Sequence, residues 1–352
     1  MPATVTGGYR EALHLRVAER VGGMSEETAA RWIGGHGLLS MARCEALPGG
    51  VRRRLADRAR RTAAYNLLLI SRFQEAIVAL GDLPACPLKG IQLLDTVYRE
   101  DPGSRVLADV DLLVPAERID QAVERLEAAL GLEETPLSRR LQGISSERIL
   151  AGRGFALELH DRLGFAYGWA STWEDLAPAP AQVHDRAVHS LSREATLVHL
   201  VAHLVKHRPL SRLAWVEDVL RSSEAGVDEA GVVEVARRIG ALRPLIAGVR
   251  VLRRLVGEGL LPGIPETVGG LGGKLVAANE RLLWSELARR PLPDPVALSA
   301  RRQAGPPPFL SGLLLADRPS HALRIVRIKA LAALRRAPED PGPPRDLERD
   351  LR

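Results

Sequence analysis

The sequence predicts an α+β protein, and three observations support this fold class. Helical periodicity runs through residues 11–80, and short apolar segments of strand length follow between residues 85 and 160. After residue 191 the periodicity is helical again. Because strands are confined to the middle of the chain, we expect one small sheet with helical regions on both sides of it in sequence.

These shifts in pattern define four expected regions. Each is delimited by a change of periodicity or by a stretch rich in proline and glycine. The regions are an N-terminal helical region, 1–82, a strand-containing core, 83–190, a helical domain, 191–335, and a flexible tail, 336–352.

Composition limits the class of protein. Hydrophobic residues make up 46% of the 352 residues, which is enough for a sizeable core. The net charge of +6 suits a partner rich in phosphate, although arginine-rich composition can equally reflect the source genome. With only Cys44 and Cys86, a disulfide framework is not expected. Without a signal-peptide pattern or an apolar run of membrane-spanning length, we expect a cytoplasmic protein with no membrane partner.

The first region reads as two helices. Ser25 is a suitable N-cap for a helix that stops at Gly34 and Gly35, and a longer helix is expected over residues 51–80. The strand-containing core then begins with a short strand, 85–88, followed by Lys89, Gly90 and a helix over 91–98. Glycine after a strand lets backbone amides approach a ligand closely.

Two aspartates on the next predicted strand are the main functional signal. Asp109 and Asp111 alternate with apolar residues, and residues i and i+2 of a strand point to the same face. Two carboxylates side by side on a buried strand repel each other and are costly to desolvate. Although D-x-D is common in surface loops, this apolar setting favours a divalent cation, and Mg²⁺ is typically held by carboxylates together with substrate phosphates.

A third carboxylate comes from a predicted hairpin over residues 147–160, which follows an amphipathic helix over 116–130. In its second strand Glu158 and His160 share one face, which is either solvated or turned towards the aspartates. Three carboxylates suit transfer of a phosphoryl or nucleotidyl group with two Mg²⁺ ions. His160 would contact the substrate or metal directly, or would support a residue that does.

Histidines follow at four-residue spacing in the next predicted helix. His199, His203 and His207 either line the cleft, with His203 and His207 nearest the ligand, or form part of a zinc site. Three residues at this spacing drift around a helix, and one helix cannot surround a metal. We therefore favour the cleft and keep a histidine-based metallohydrolase as an alternative.

Several of these blocks, in this order, resemble the uncharacterised nucleotidyltransferases of the polymerase-β-like superfamily. The resemblance covers about residues 36–220. Its blocks are the Leu88-Lys89-Gly90 turn, Tyr98, Arg105 before ADVDLLV, the later LELH, and RLAWVEDV at 212–219. The superfamily usually has Gly-Gly or Gly-Ser at the phosphate-binding turn, whereas this chain has Lys89 and Gly90.

The resemblance implies a nucleotidyltransferase-like fold, with a small mixed sheet, and it implies the metal-binding and catalytic carboxylates Asp109, Asp111 and Glu158. We expect an Mg²⁺-dependent enzyme that moves an NMP from an NTP, expected to be ATP, to an acceptor that the sequence does not identify. A small molecule, a peptide, a protein and an RNA are all compatible, and a catalytically inactive nucleotide-binding module is a second alternative. The expected nucleotide-binding residues are Lys89, Gly90, Arg105, His160, His203 and His207. For Arg105, pairing with the carboxylates is as plausible as contact with phosphate.

Overall fold

A computed structural model describes residues 8–142, 145–152, 154–163, 171–206, 212–289 and 316, with the backbone alone for 271 and 282–289. The fold is α+β, as predicted. The helices, in chain order, are α1 Tyr9–Val21, α2 Glu26–Gly35, α3 Gly49–Leu80, α4 Lys89–Asp95, α5 Ile119–Leu130, α6 Pro136–Arg140, α7 Trp173–Leu176, α8 Arg193–Lys206, α9 Leu213–Glu224, α10 Glu229–Ile239, α11 Leu242–Val256 and α12 Gly270–Arg289.

The strands form a mixed five-stranded sheet and a separate hairpin. They are β1 Cys86–Pro87, β2 Val110–Leu113, β3 Glu133–Glu134, β4 Glu147–Gly152, β5 Phe155–His160, β6 Ala179–Val183 and β7 Arg186–Ser190. The larger sheet has the order β1-β2-β5-β4-β3, and β6 pairs with β7. Within the larger sheet β2 and β5 run parallel, while the other neighbouring pairs are antiparallel.

The N-terminal helices form for the reasons that the sequence suggests. The Ser25 hydroxyl accepts a hydrogen bond from the Thr28 amide at the start of α2, a cap that typically contributes about 1 kcal/mol. The long helix α3 buries Leu55, Leu69 and Phe73 on one face. It ends at Leu80 because Gly81 adopts a φ of +64°, which favours glycine.

Three elements around the expected site have boundaries that differ from the predictions. The first strand is shorter, Cys86–Pro87, and the helix after it begins earlier, at Lys89, and ends at Asp95. Strand β2 begins at Val110, where its pairing with β5 begins, so Asp109 lies just before the strand instead of on it. The expected hairpin over 147–160 is confirmed by β4 and β5.

The hairpin of β6 and β7 has no counterpart in the predictions. Its edge joins the larger sheet near β1, where the His189 amide donates to the Ala85 carbonyl oxygen at 2.9 Å. Beyond it, the described residues after 191 are helical, as expected, and α8 packs against α9, α10 and α11. Among the described residues, no helix has the length and hydropathy needed to cross a membrane.

Candidate nucleotide and metal site

The parallel pairing of β2 with β5 places two carboxylates side by side. Asp111 lies opposite Glu158 in the register, and Leu113 lies opposite His160. All four residues of β2 are buried. The prediction that the hairpin carries Glu158 next to the aspartate strand is therefore confirmed, and the sheet brings together residues that are far apart in sequence.

One carboxylate oxygen of Asp111 contacts two other residues of the site. Oδ1 accepts a hydrogen bond from Nζ of Lys89 at 2.8 Å and contacts Nε2 of His160 at 2.9 Å. The Leu88 amide donates to the Asp111 carbonyl at 3.0 Å. This backbone hydrogen bond holds the next residue, Lys89, close to Asp111. We call Asp109, Asp111 and Glu158, together with Lys89 and His160, the carboxylate cluster.

The charges of this cluster perturb one another strongly. Burial alone would raise the pKa of Asp111, but Lys89 and His160 outweigh burial and hold that pKa well below its usual range. Burial and the negative charge of Asp111 raise the pKa of Glu158 to about 7. Burial alone would lower the pKa of Lys89, but Asp111, Glu158 and Asp109 together raise it above its ordinary value. Strongly perturbed groups converging at one place are typical of functional sites.

Asp109 lies at the margin of the cluster. Burial and the charge of Asp111 raise its pKa, while Lys89, Arg105 and Arg212 act in the opposite direction. Within the described residues, the group whose possible ligand atoms all lie within 4.8 Å of one another consists of Asp111, Glu158 and His160. Asp109 is thus electrostatically part of the cluster without belonging to that closest group.

The donor set of this closest group fits a divalent cation. Carboxylate oxygens are the protein ligands that Mg²⁺ and Mn²⁺ prefer, and two of the three residues supply them. Imidazole is a less usual ligand for Mg²⁺, but His160 already contacts Asp111, an arrangement in which a histidine orients a ligating carboxylate. Asp111 and Glu158 are thus the residues that could hold a cation, with His160 beside them.

Two further charged residues border the cluster and were missed by the sequence analysis. Oε1 of Glu147 lies 3.4 Å from Nζ of Lys206 and 3.9 Å from Nδ1 of His160. Burial alone would raise the pKa of Glu147, but Lys206, His160 and Lys89 hold it at about 2. The signals were available: Glu147 lies opposite His160 in the hairpin, and Lys206 follows His203 by three residues on the same helix.

The histidines of α8 lie near this border. Burial, followed by the positive charge of Lys89, lowers the pKa of His199 to about 3. The His203 ring meets the Trp215 ring edge-on, with their centroids 5.0 Å apart. Neither histidine belongs to the closest metal-ligating group of the described residues. His207, predicted to bind nucleotide, lies outside the described part of the chain.

Gly90 and Arg105 have evident packing partners. A Cβ atom on Gly90 would stand 2.4 Å from Cδ2 of Leu107, so the Leu107 side chain would have to shift to accept a larger residue there. The Arg105 guanidinium forms an ion pair with Asp218, with Nε 2.8 Å from Oδ1. The observed partner is thus not one of the predicted carboxylates, because Asp218 lies on α9. Contact of Arg105 with phosphate stays a prediction.

Arg105 and Asp218 belong to a second ionic cluster. The Tyr98 hydroxyl donates to Oδ1 of Asp218 at 2.9 Å, and the Arg221 guanidinium stacks over the Tyr98 ring. Arg221 also forms an ion pair with Glu217, at 2.9 Å. We call these five residues the Arg105–Asp218 cluster. It joins the segment just before Asp109 to the helical region.

The mixed sheet and its buried acidic cluster define a nucleotidyltransferase-like class of protein. A family described as uncharacterised nucleotidyltransferase matches residues 35–257, which is more than half of the chain, and the chain belongs to that family. Searches of curated proteins and of solved structures gave no match. The resemblance noted in the sequence is therefore confirmed at the level of the family, whose description is that of a nucleotidyltransferase.

Proposed function

We propose that the protein transfers a nucleoside monophosphate from an NTP, with ATP as the expected donor, to an acceptor hydroxyl or similar group, with release of pyrophosphate. The observation that carries the proposal is the meeting of Asp111, Glu158 and His160 across two parallel strands, with Lys89 reaching Asp111 from the start of α4, in a chain of this family. Phosphoryl-type transfers depend mainly on alignment and on electrostatic stabilisation, which such a cluster can supply.

In the proposed reaction the acceptor oxygen attacks the α-phosphorus. The bond from that phosphorus to the bridging oxygen breaks, and pyrophosphate leaves with the electron pair. A carboxylate of the cluster, Glu158, would take the acceptor proton. Lys89 supplies a positive charge to the phosphates, and Gly90 allows the turn to pack closely.

Asp111 and Glu158 would hold a divalent cation, with His160 orienting Asp111. When bound, Mg²⁺ would neutralise the charge that develops on the phosphate oxygens. The sequence also predicts a second Mg²⁺ ion, and in the proposal Asp109 is one of its ligands. Nucleotide contacts from His203, His207 and Arg105 remain predictions. In the proposal, Arg105 acts mainly by fixing the segment that carries Asp109, since its guanidinium is paired with Asp218.

The acceptor remains open among a small molecule, a peptide, a protein and an RNA, and a cytoplasmic location remains a prediction. The alternative, an inactive nucleotide-binding module, differs from the proposed enzyme in the turnover that it predicts. It predicts tight NTP binding with no transfer to any acceptor.

The test uses ATP labelled either at the α- or at the γ-phosphorus, with Mg²⁺ and a panel of acceptors that includes the protein itself. We expect the α-label to appear in the product and the γ-label in pyrophosphate. Asp111→Asn should lower the rate by roughly 10³-fold, because it removes a charge that is required in the transition state.

Asp82→Asn is the matched control, since the Asp82 side chain is 84% exposed and pairs only with Arg125 in the salt bridges described. It should leave the rate unchanged. Transfer of the γ-label in place of the α-label would overturn nucleotidyl transfer, and binding without turnover across the panel would favour the inactive module.

A further inference from the structure

Lys89 is the cation that the carboxylate cluster already contains. Its Nζ lies 2.8 Å from Oδ1 of Asp111. All three carboxylates of the cluster, Asp111, Glu158 and Asp109, favour its charged form. A divalent cation ligated by Asp111 would therefore meet the ammonium group at the same carboxylate, and two like charges held at one carboxylate repel each other.

The backbone position of Lys89 is fixed, whereas its side chain is long and flexible. Lys89 has a φ of +45°, a left-handed conformation that residues with a Cβ rarely adopt. Such a conformation persists when its surroundings hold it, here the Leu88 amide bonded to Asp111 and the start of α4. The lysine side chain has four flexible carbons and a compact charge. Its ammonium group can therefore change partner while the turn stays in place.

We propose that Lys89 is an exchangeable counter-ion, an inference that rests on the proposed function of the same site. Without nucleotide, Lys89 neutralises Asp111 and opposes binding of a divalent cation there. When an NTP enters, its phosphates take the Lys89 ammonium, and Asp111 becomes available to the cation. The cation then binds together with the nucleotide and only weakly before it.

The bonding of Asp111 supports exchange more than a permanent ion pair. His160 contacts the same oxygen, so Asp111 keeps a neighbouring partner when Lys89 leaves. The Lys89 side chain is also 17% exposed, whereas that of Arg105, in the Arg105–Asp218 cluster, is 8% exposed. A long, partly exposed lysine side chain can reach an incoming phosphate.

The experiment measures Mn²⁺ binding by calorimetry, first without nucleotide. Lys89→Met removes the charge and keeps the length of the side chain. It should bind Mn²⁺ about tenfold more tightly than the wild type, because a repelling charge is gone. Lys274→Met, which alters an exposed lysine of α12, should match the wild type. In Lys89→Met/Asp111→Asn the gain should disappear.

A second arm repeats the titration with an ATP analogue whose α- and β-phosphates are joined through carbon. The wild type should then gain about tenfold in Mn²⁺ affinity, and Lys89→Met should gain less. If folded Lys89→Met binds Mn²⁺ no more tightly than the wild type, the proposal is overturned. If that variant does not fold, the Mn²⁺ affinities of the wild type with and without the analogue decide. An Mn²⁺ affinity that the analogue does not change would reject exchange.

The two arms separate this inference from the proposed function. A gain in Mn²⁺ affinity for Lys89→Met, together with no binding of the analogue to the wild type, would support competition at Asp111 and reject the nucleotide site. If the analogue binds the wild type but Lys89→Met leaves the Mn²⁺ affinity unchanged, the nucleotide site is supported and competition at Asp111 is rejected.

Discussion

Two ionic clusters inside this protein differ in how their charges balance. In the Arg105–Asp218 cluster, two arginines face two carboxylates, and the Tyr98 hydroxyl adds a hydrogen bond to Asp218. In the carboxylate cluster, Lys89 faces Asp109, Asp111 and Glu158. A buried cluster with matched charges can serve packing alone, whereas one with surplus negative charge is suited to an added cation. From this difference in charge balance we propose a structural role for the Arg105–Asp218 cluster and a functional role for the carboxylate cluster.

The largest expected effect compares one aspartate from each cluster. Asp218→Asn leaves Arg105 buried without its carboxylate, and we expect a loss of about 3 kcal/mol in the free energy of unfolding. Asp111→Asn relieves repulsion with Glu158 and leaves the partly exposed Lys89 near two other carboxylates. Its cost should be smaller than that of Asp218→Asn, about 1–2 kcal/mol, because the relief of repulsion offsets only part of the stabilisation that Lys89 and His160 give to the Asp111 carboxylate. Urea denaturation followed by circular dichroism measures both changes.

Equal losses for the two variants would show that the carboxylate cluster is as important for folding as the Arg105–Asp218 cluster. A larger loss for Asp111→Asn would contradict the proposed roles outright.

A smaller effect is expected on the stability of the fold at acid pH, and it comes from His14, beside the Arg105–Asp218 cluster. The Ser40 hydroxyl bonds to Glu217 and lies 3.3 Å from Nε2 of His14. Burial, then Arg10 and Arg221, lowers the pKa of His14 from 6.5 to about 4, although Glu224 and Glu11 oppose the shift. Between these pH values the unfolded chain binds a proton that the folded chain does not, so stability falls as pH falls from 6.5 to 4.

His14→Gln should reduce that loss by roughly 2 kcal/mol, measured as urea midpoints at pH 4, 5, 6 and 8. Part of the loss should remain, because the lowered pKa of His199 acts in the same direction. An unchanged pH dependence in the variant would show that His14 is not buried in its neutral form.

The sequence predicts the parts of the site that depend on local alternation. Glu158 could be expected beside Asp111 because hydrophobic alternation sets the face of each strand, and the short loop with Gly152 and Gly154 indicates the hairpin. The partner of Arg105 could not be predicted in this way. Asp218 is 113 residues away, and only the docking of α9 brings the two together.

Two other features lack a recognisable sequence signal. The turn between β6 and β7 places His184 and Asp185 at positive φ, where an Asn-Gly or Asp-Gly pair is the usual signature. Strand β6 also contains Pro180, which weakens a strand pattern. The contact of Lys89 with Asp111 depends on the left-handed backbone of Lys89, which residue type does not predict.

The most direct test of the account is to locate a bound cation. Crystals grown with Mn²⁺ and the non-hydrolysable ATP analogue would give an anomalous scattering peak for the ion. We predict a peak about 2.1 Å from carboxylate oxygens of both Asp111 and Glu158, with the Lys89 ammonium moved to the phosphates. A peak held by the histidines of α8, or Lys89 still bonded to Asp111 beside a bound nucleotide, would contradict it.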